Sequence, residues 1–201
     1  MGGTFNPPHL GHLVCAQEAL VALELDRVVW MPVHSPPHKE LPDDIGVKRR
    51  LELCRRAIAG EPRFEVSTLE AERPGLSYTV DTLEALHAAL PGDDLTFIVG
   101  GDMAHSLPDW REPSRLLRLA MLAVAEREGV GRREILERLS EVPGAADRVR
   151  FFDMPRMDIS SSLVRRRVAA GQPVRYLVPD SVAEYIEQEG LYRGSSEEVV
   201  G

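Results

Sequence analysis

The sequence predicts an α/β fold: a Rossmann-like open parallel sheet with helices on both faces and a helical C-terminus. Two observations lead to this prediction. Short apolar runs alternate with longer segments of helical periodicity, and strands of a covered parallel sheet have this continuous apolar character. Connections between such strands are right-handed by default. The expected strands are residues 27–33, 63–67, 95–99, 120–124 and 149–152, and the expected helices are residues 10–25, 48–59, 79–90, 115–119, 132–140, 161–170 and 180–188.

The first strand of this sheet is expected to be truncated. In a doubly wound sheet the first glycine-rich turn follows a strand, but Gly2 and Gly3 follow only Met1. Either the sheet lacks this strand or the coding sequence starts further upstream. We expect residues 1–193 to form a single domain and the polar residues 194–201 to form a disordered tail.

Composition and charge exclude several classes of protein. Of the 201 residues, 43% are hydrophobic and 28% are charged, as in globular proteins with a core. The net charge of −8 argues against general binding to nucleic acid or an anionic membrane, because phosphate surfaces attract basic proteins. The longest apolar run, residues 119–125, is too short for a membrane span, and no signal peptide is visible. Cys15 and Cys54 form no CxxC pair, which favours free thiols in a reducing, cytoplasmic compartment.

Residues 2–13, GGTFNPPHLGHL, are the most informative segment. Glycines let a backbone approach a phosphate closely, and prolines suit the turn that enters a helix. His9 and His12 lie on one face of the first helical turn, where free N–H groups favour an anion, and Gly11 leaves room for a ligand. The alternatives are a capping or packing role for a single histidine, and a shared zinc. Zinc needs three or four ligands, and no further ligand follows at a usable spacing.

Residues 158–167 contain a second candidate phosphate site. Three consecutive serines precede an apolar-periodic stretch, and serine is a good N-cap. Hydroxyls, free N–H groups and Arg165 on the first turn suit the outer phosphates of a nucleoside triphosphate. The alternative is an ordinary capped helix with a solvated basic face. In combination with the histidine segment, the pattern favours phosphate binding.

These two segments resemble the signatures of the nucleotidyltransferase superfamily that carries an HxGH motif and, within it, the bacterial nicotinate-nucleotide adenylyltransferases. The sequence departs from this family at Asn6, where Asp is common, and at residues 127–129, which read Arg-Glu-Gly where Arg-Pro-Gly is frequent. The similarity runs from Gly2 to about Tyr192 and includes residues 33–39, 74–83, 97–103, 107–110 and 176–192.

The resemblance implies a single nucleotidyltransferase domain that transfers the adenylyl group of ATP to nicotinate mononucleotide, giving deamido-NAD and pyrophosphate in NAD biosynthesis. It implies Mg²⁺ bound with ATP and no metal ligands supplied by the chain. The implied catalytic residues are His9, His12, Lys39 and Arg165. The implied ATP-binding residues are Gly3, Thr4, Phe5, His12, Gly100, Asp102, Ile159, Ser161, Ser162 and Arg165, and the mononucleotide would contact Lys39, Tyr78, Thr79 and Trp110.

Each acceptor-site residue also has an ordinary structural interpretation. An indole face holds a flat cationic pyridinium well, which suits Trp110, but this side chain could equally pack in the core. Lys39 could be a solvated loop lysine, and residues 77–81 could be no more than a helix cap, a role that we expect them to have in either case. Two other functions stay open: a related adenylyl- or cytidylyltransferase acting on another phosphate such as pantetheine phosphate, and a non-catalytic nucleotide-binding module. A homo-oligomer is also compatible with the sequence.

Overall fold

The computed structural model describes residues 1–36, 43–126 and 131–193. Within these ranges the strands form two parallel sheets of three strands, in the orders β1-β2-β3 and β4-β5-β6. The strands are β1 Gly2–Gly3, β2 Val28–Pro32, β3 Phe64–Val66, β4 Thr96–Gly100, β5 Met121–Glu126 and β6 Val149–Asp153. The helices are α1 Leu10–Ala22, α2 Val47–Ile58, α3 Thr79–Ala89, α4 Gly101–His105, α5 Pro113–Leu119, α6 Arg132–Leu139, α7 Ala145–Arg148, α8 Ser161–Ala169 and α9 Asp180–Gln188, with a 3-10 helix at Leu107–Asp109.

The α/β class with parallel strands is confirmed, but the strands do not form the single sheet that the sequence predicts. β1 is present and only two residues long. The backbone N–H groups of Met31 and Val33 donate to the carbonyls of Met1 and Gly3, the two residues that flank Gly2. Both of these carbonyls are therefore bonded on the β2 side. Alternate residues of a parallel strand bond to opposite neighbours, so Gly2 alone is left to face β4, and no ladder joins β1 and β4 in the described chain.

Apolar residues cover both faces of the second sheet. Leu122 and Val124 of β5 belong to a cluster that includes residues of α3, α5 and α6, whereas Ala123 and Ala125 belong to a second cluster with α1, β2 and Phe5. This alternation is what a parallel strand between two helical layers requires. In the described part of the chain, no helix has the length and apolar character needed to cross a membrane.

The C-terminal part of the chain returns to the N-terminal turn. Leu10 donates its backbone N–H to the carbonyl of Leu177 at 2.9 Å. The Tyr192 hydroxyl donates to Oδ1 of Asn6 at 2.7 Å, and Nδ2 of Asn6 donates to the carbonyl of Asp43 at 3.2 Å. Asn6 is buried, and its amide uses both an acceptor and a donor. A carboxylate at this position could not donate to the carbonyl, which accounts for asparagine where the family often has aspartate.

A buried polar network fixes the segment that leads into α3. Oγ1 of Thr82 donates to Oε1 of Glu70 at 2.7 Å and accepts from Nη2 of Arg73 at 2.7 Å. Burial raises the pKa of the Glu70 carboxyl, and the hydrogen bond from Thr82 and the positive charge of Arg73 offset this only in part. The network therefore holds residues 70–73 against the first turn of α3.

Replacing Tyr192 with phenylalanine tests the connection between the two ends of the chain. The substitution leaves the buried Oδ1 of Asn6 without its donor, and we expect the free energy of unfolding to fall by about 1–2 kcal/mol. Denaturant unfolding measures this loss. Tyr176→Phe is the matched control, because that side chain is 81% exposed. Equal effects of the two substitutions would contradict the stabilising role of the Tyr192 hydroxyl.

Replacing Glu70 with glutamine should change how stability depends on pH. The folded protein holds the Glu70 proton at higher pH than the unfolded chain does, so ionisation makes wild-type stability fall as pH rises above about 4.5. Glutamine cannot ionise and keeps an oxygen acceptor for Thr82. Urea unfolding from pH 4.5 upward should therefore show that the free energy of unfolding of Glu70→Gln increases relative to that of the wild-type protein as the pH rises. A difference that does not vary with pH, as expected for the exposed Glu65→Gln control, would refute this account.

Candidate functional site

One cavity of about 690 Å³ lies at the carboxyl ends of β1 and β4. The N-terminal turn, the first turns of α1, α3 and α8, and the segment after the 3-10 helix form its wall. Such an opening between adjacent strand ends is where open α/β sheets bind ligands. The cavity is lined by the following residues predicted from the sequence: Gly3, Thr4, His9, His12, Tyr78, Thr79, Gly100, Asp102, Trp110, Ile159, Ser161, Ser162 and Arg165.

One predicted residue, Phe5, is placed differently from the others. Phe5 is only 1% exposed, and its ring packs in the core, 4.9 Å from the Trp30 ring. Phe5 is not among the described residues that line the cavity. A Cβ atom at Gly3 would lie 2.9 Å from the Phe5 ring, so this packing requires glycine at position 3. Lys39 lies outside the described residues, as do residues 127–129 and 194–201.

The two histidines form a stacked pair at the start of α1. Their ring centroids are 3.7 Å apart with an interplanar angle of 28°. The backbone N–H of His9 donates to Nδ1 of His12 at 3.2 Å. An Nδ1 that accepts a hydrogen bond leaves the proton of the neutral ring on Nε2. The fold thus gives His12 a donor at Nε2 while Nδ1 caps the helix.

Gly11 lies between the histidines and has a structural reason to be glycine. A Cβ atom there would approach the His9 ring to 3.1 Å and Met157 to 3.6 Å. The sequence predicts that Gly11 leaves room for a ligand, and this residue does line the cavity. The His9 imidazole, however, fills the space next to the Gly11 Cα.

The serine-rich helix α8 is in direct contact with the N-terminal turn. The Ser160 hydroxyl caps α8 by accepting from the Leu163 N–H at 3.2 Å, as the sequence predicts. The Ser161 hydroxyl donates to the carbonyl of Pro7 at 2.8 Å, and Nη1 of Arg165 donates to the carbonyl of Asn6 at 2.9 Å. The first turns of α1 and α8 therefore open into the same cavity.

The part of the cavity wall around Trp110, here called the aromatic end, also contains Phe97 and Tyr78. The Nε1 atom of Trp110 donates to the Ser106 hydroxyl at 3.0 Å, and the Phe97 ring meets the indole edge-on at 6.1 Å. The Arg111 guanidinium lies 4.8 Å from the centre of the Tyr78 ring, in cation–π contact. Arg111 lines the cavity and was not predicted, although its position next to Trp110 in the chain is a signal that could have identified it.

The wall of the cavity supplies groups that can bind an anion. Among the described residues, no group of three or more His, Cys, Asp or Glu side chains is placed to hold a metal. The first turns of α1 and α8 supply N–H groups, hydroxyls and an arginine, which are donors to phosphate oxygens.

Comparison with known proteins agrees with this geometry. The model of the family described as cytidylyltransferase-like matches residues 1–167. A relative from Trichlorobacter lovleyi, named "probable nicotinate-nucleotide adenylyltransferase", is 43% identical and the match covers 96% of this chain and 97% of that protein. A relative of the same name from a Roseiflexus species is 45% identical, with 96% of each chain covered.

A solved structure supports the fold. The nicotinic acid mononucleotide adenylyltransferase of Plasmodium falciparum, complexed with APC, superimposes with a TM-score of 0.76 and 17% sequence identity, covering 95% of this chain and 94% of that chain. The family resemblance carried by residues 2–13 and 158–167 is thus confirmed over nearly the whole chain. The chain belongs to the cytidylyltransferase-like family and, within it, to the bacterial nicotinate-nucleotide adenylyltransferases.

Proposed function

We propose that the protein transfers the adenylyl group of ATP to nicotinate mononucleotide, releasing deamido-NAD and pyrophosphate. The observation that carries the proposal is the single cavity that joins the first turns of α1 and α8 to the aromatic end at Trp110. An adenylyl transfer needs both a triphosphate site and an adjacent acceptor site, because the two substrates must react in line. The names of the relatives support the same reaction.

At the nucleotide end, backbone groups of Gly3, Thr4 and Phe5 would approach the phosphates. His9 and His12 would face the α-phosphate, with Nε2 of His12 as a donor. The N–H groups of Ser161 and Ser162 and the Ser162 hydroxyl would bind the outer phosphates, whereas the Ser161 hydroxyl already donates to the Pro7 carbonyl. The remaining residues proposed at this end are Gly100 and Asp102 for the ribose, Ile159 beside α8, and Arg165 for the outer phosphates.

At the acceptor end, Trp110 would stack on the pyridinium ring, with its indole orientation fixed by Ser106 and Phe97. The first turn of α3 begins at Thr79 and has no side-chain cap at Tyr78, so its N–H groups suit the nicotinate carboxylate. Lys39 would bind the phosphate of the mononucleotide.

The chemistry requires no general base. The second pKa of a phosphate monoester is about 6, so the attacking phosphate is largely dianionic at neutral pH. The protein must instead hold two anions in line and stabilise the charge that develops during transfer. His9, His12, Lys39 and Arg165 would do this as hydrogen-bond donors and charges rather than as proton acceptors.

Mg²⁺ fits this site as a companion of the nucleotide. It favours phosphate and water oxygens and needs few protein ligands when it is bound to a polyphosphate. The donors on α1 and α8 complement phosphate oxygens, and Asp102 lines the same cavity. Bound Mg²⁺ would neutralise charge on the leaving pyrophosphate.

We further propose that the partners are these two small-molecule substrates and neither nucleic acid nor a membrane, that the chain is compatible with a homo-oligomer, and that the protein works in the cytoplasm. Cys15 and Cys54, the two cysteines of the chain, are not joined by a disulfide, as is usual in a reducing compartment.

A substrate panel tests the proposal directly. The protein is incubated with ATP and Mg²⁺ together with nicotinate mononucleotide, nicotinamide mononucleotide or pantetheine phosphate, and pyrophosphate release and dinucleotide formation are measured. Deamido-NAD formation with the highest kcat/KM for nicotinate mononucleotide is expected. Preferential turnover of pantetheine phosphate, or ATP binding without turnover of any acceptor, would contradict the proposal.

Two substitutions at His12 separate its two ring nitrogens. Asparagine places an acceptor near the position of Nδ1 and removes the Nε2 donor, so kcat should fall by about 10²-fold while the cap of α1 is retained. Glutamine places a donor near Nε2 and removes the cap, so it should retain more turnover than asparagine. Steady-state kinetics and thermal unfolding measure both effects. Near-normal kcat in His12→Asn would refute the proposed role.

Replacing Trp110 with alanine should mainly raise the KM for nicotinate mononucleotide, because the stacking surface for the pyridinium ring is lost. We expect a rise of about tenfold, with phenylalanine giving a smaller change. The KM for ATP should stay close to the wild-type value. A rise in the KM for ATP alone would show that Trp110 belongs to the nucleotide site instead.

A further inference from the structure

Arg50 is a buried charge that the proposed mechanism does not use. It lies on α2 and is 0% exposed, and it is not part of the cavity wall formed by the described residues. Burying a guanidinium is costly unless its donors are satisfied. The groups that accept hydrogen bonds from Arg50 therefore show which parts of the fold it connects.

The guanidinium of Arg50 binds backbone carbonyls from two different segments. Nη1 donates to the carbonyls of Thr4 at 3.0 Å and Val33 at 2.7 Å, and Nη2 donates to the carbonyl of His34 at 3.1 Å. Nε donates to Oδ1 of Asp44 at 2.9 Å, which also balances the charge. One planar group thus ties the turn after β1 to the end of β2 and to the residues that precede α2.

These bonds set the direction of the peptide planes. In a trans peptide the C=O and the following N–H point in opposite directions. With the carbonyls of Thr4 and Val33 turned toward Arg50, the N–H groups of Phe5 and His34 are turned away from it. Thr4 and Val33 line the cavity and Arg50 does not, so the guanidinium holds two segments of the cavity wall without being part of that wall.

The turn at Phe5 needs such support. Phe5 has a φ of 49°, a left-handed conformation that is unfavourable for a residue with a side chain. The bond from Arg50 to the preceding carbonyl fixes one side of this turn, and burial of the Phe5 ring fixes the other.

We infer that Arg50 is a positioning residue. Its guanidinium donates hydrogen bonds to the carbonyls of Thr4, Val33 and His34 and thereby orients the backbone N–H groups of the turn after β1 toward the phosphates of the nucleotide. This inference rests on the proposed function for the identity of the ligand. Lysine cannot replace Arg50 in this role, because a single ammonium group lacks the planar fork that reaches all four acceptors.

The experiment compares Arg50→Lys with Arg56→Lys. Both substitutions lie on α2, but Arg56 bonds to Glu52 at 2.8 Å and lies over the Tyr185 ring, away from the cavity. Binding of ATP with Mg²⁺ is measured without acceptor, by calorimetry and by the ATP-induced rise in Tm. We expect Arg50→Lys to weaken ATP binding by about tenfold or more and Arg56→Lys to leave it unchanged.

A second control separates positioning from lost stability. Leu139→Ala removes a buried side chain in the cluster around β5 and should lower Tm without changing the affinity for ATP. If Arg50→Lys does not fold, Asp44→Ala replaces it, since this substitution removes one of the four partners of Arg50 and should weaken ATP binding severalfold. Unchanged ATP binding in the folded variant, or the same change in Leu139→Ala, would overturn the inference.

The same measurements distinguish this inference from the proposed function. If the wild-type protein binds ATP, Arg50→Lys weakens that binding, and no deamido-NAD is made, the function is refuted and the role of Arg50 stays intact. Deamido-NAD synthesis that is indifferent to Arg50→Lys would leave the function intact and refute the role of Arg50. Failure of the wild-type protein to bind ATP would overturn both.

Discussion

The carbonyl groups of Asn6 and Pro7 connect two parts of the chain that are far apart in sequence. The Ser161 hydroxyl and the Arg165 guanidinium bind them across separations of 154 and 159 residues. A turn of this kind has no helical or strand partner for its carbonyls, and unpaired buried carbonyls are costly. Satisfying them from α8 therefore brings the first turns of α1 and α8 to the same cavity. Every property of the site that involves both helices depends on these bonds.

Local sequence patterns predict the long elements well and the short ones poorly. The prediction for α9, residues 180–188, matches the observed helix at both ends, because Pro179 precedes it and Gly190 follows it. α1 ends three residues earlier than predicted, since Glu24 adopts a φ of 52° and the Leu25 N–H bonds back to Leu20. No glycine marks that turn in the sequence. The four residues of α7 are too few to show any periodicity.

The candidate site could be predicted where a residue type carries the chemistry, and not where tertiary contacts do. Histidine spacing and consecutive serines predict residues that line the cavity. Arg50, in contrast, is one arginine among many in an ordinary amphipathic helix, and its role depends on carbonyls from positions 4, 33 and 34. Gly11 was predicted to make room for a ligand, but the His9 ring is its nearest neighbour. Packing inside a motif is not visible in the sequence of that motif.

The acidic chain must hold two anionic substrates with little help from long-range attraction. Its net charge is −8, so the field of the whole molecule does not concentrate anions. Most donors in the nucleotide half of the cavity are neutral: backbone N–H groups, hydroxyls and the Nε2 of His12. Neutral donors act only at contact distance and in the right direction. Affinity at such a site depends on how accurately the backbone is held. Arg50 and Arg165 bind backbone carbonyls and so affect the affinity for the anion even through contacts that do not involve the anion itself.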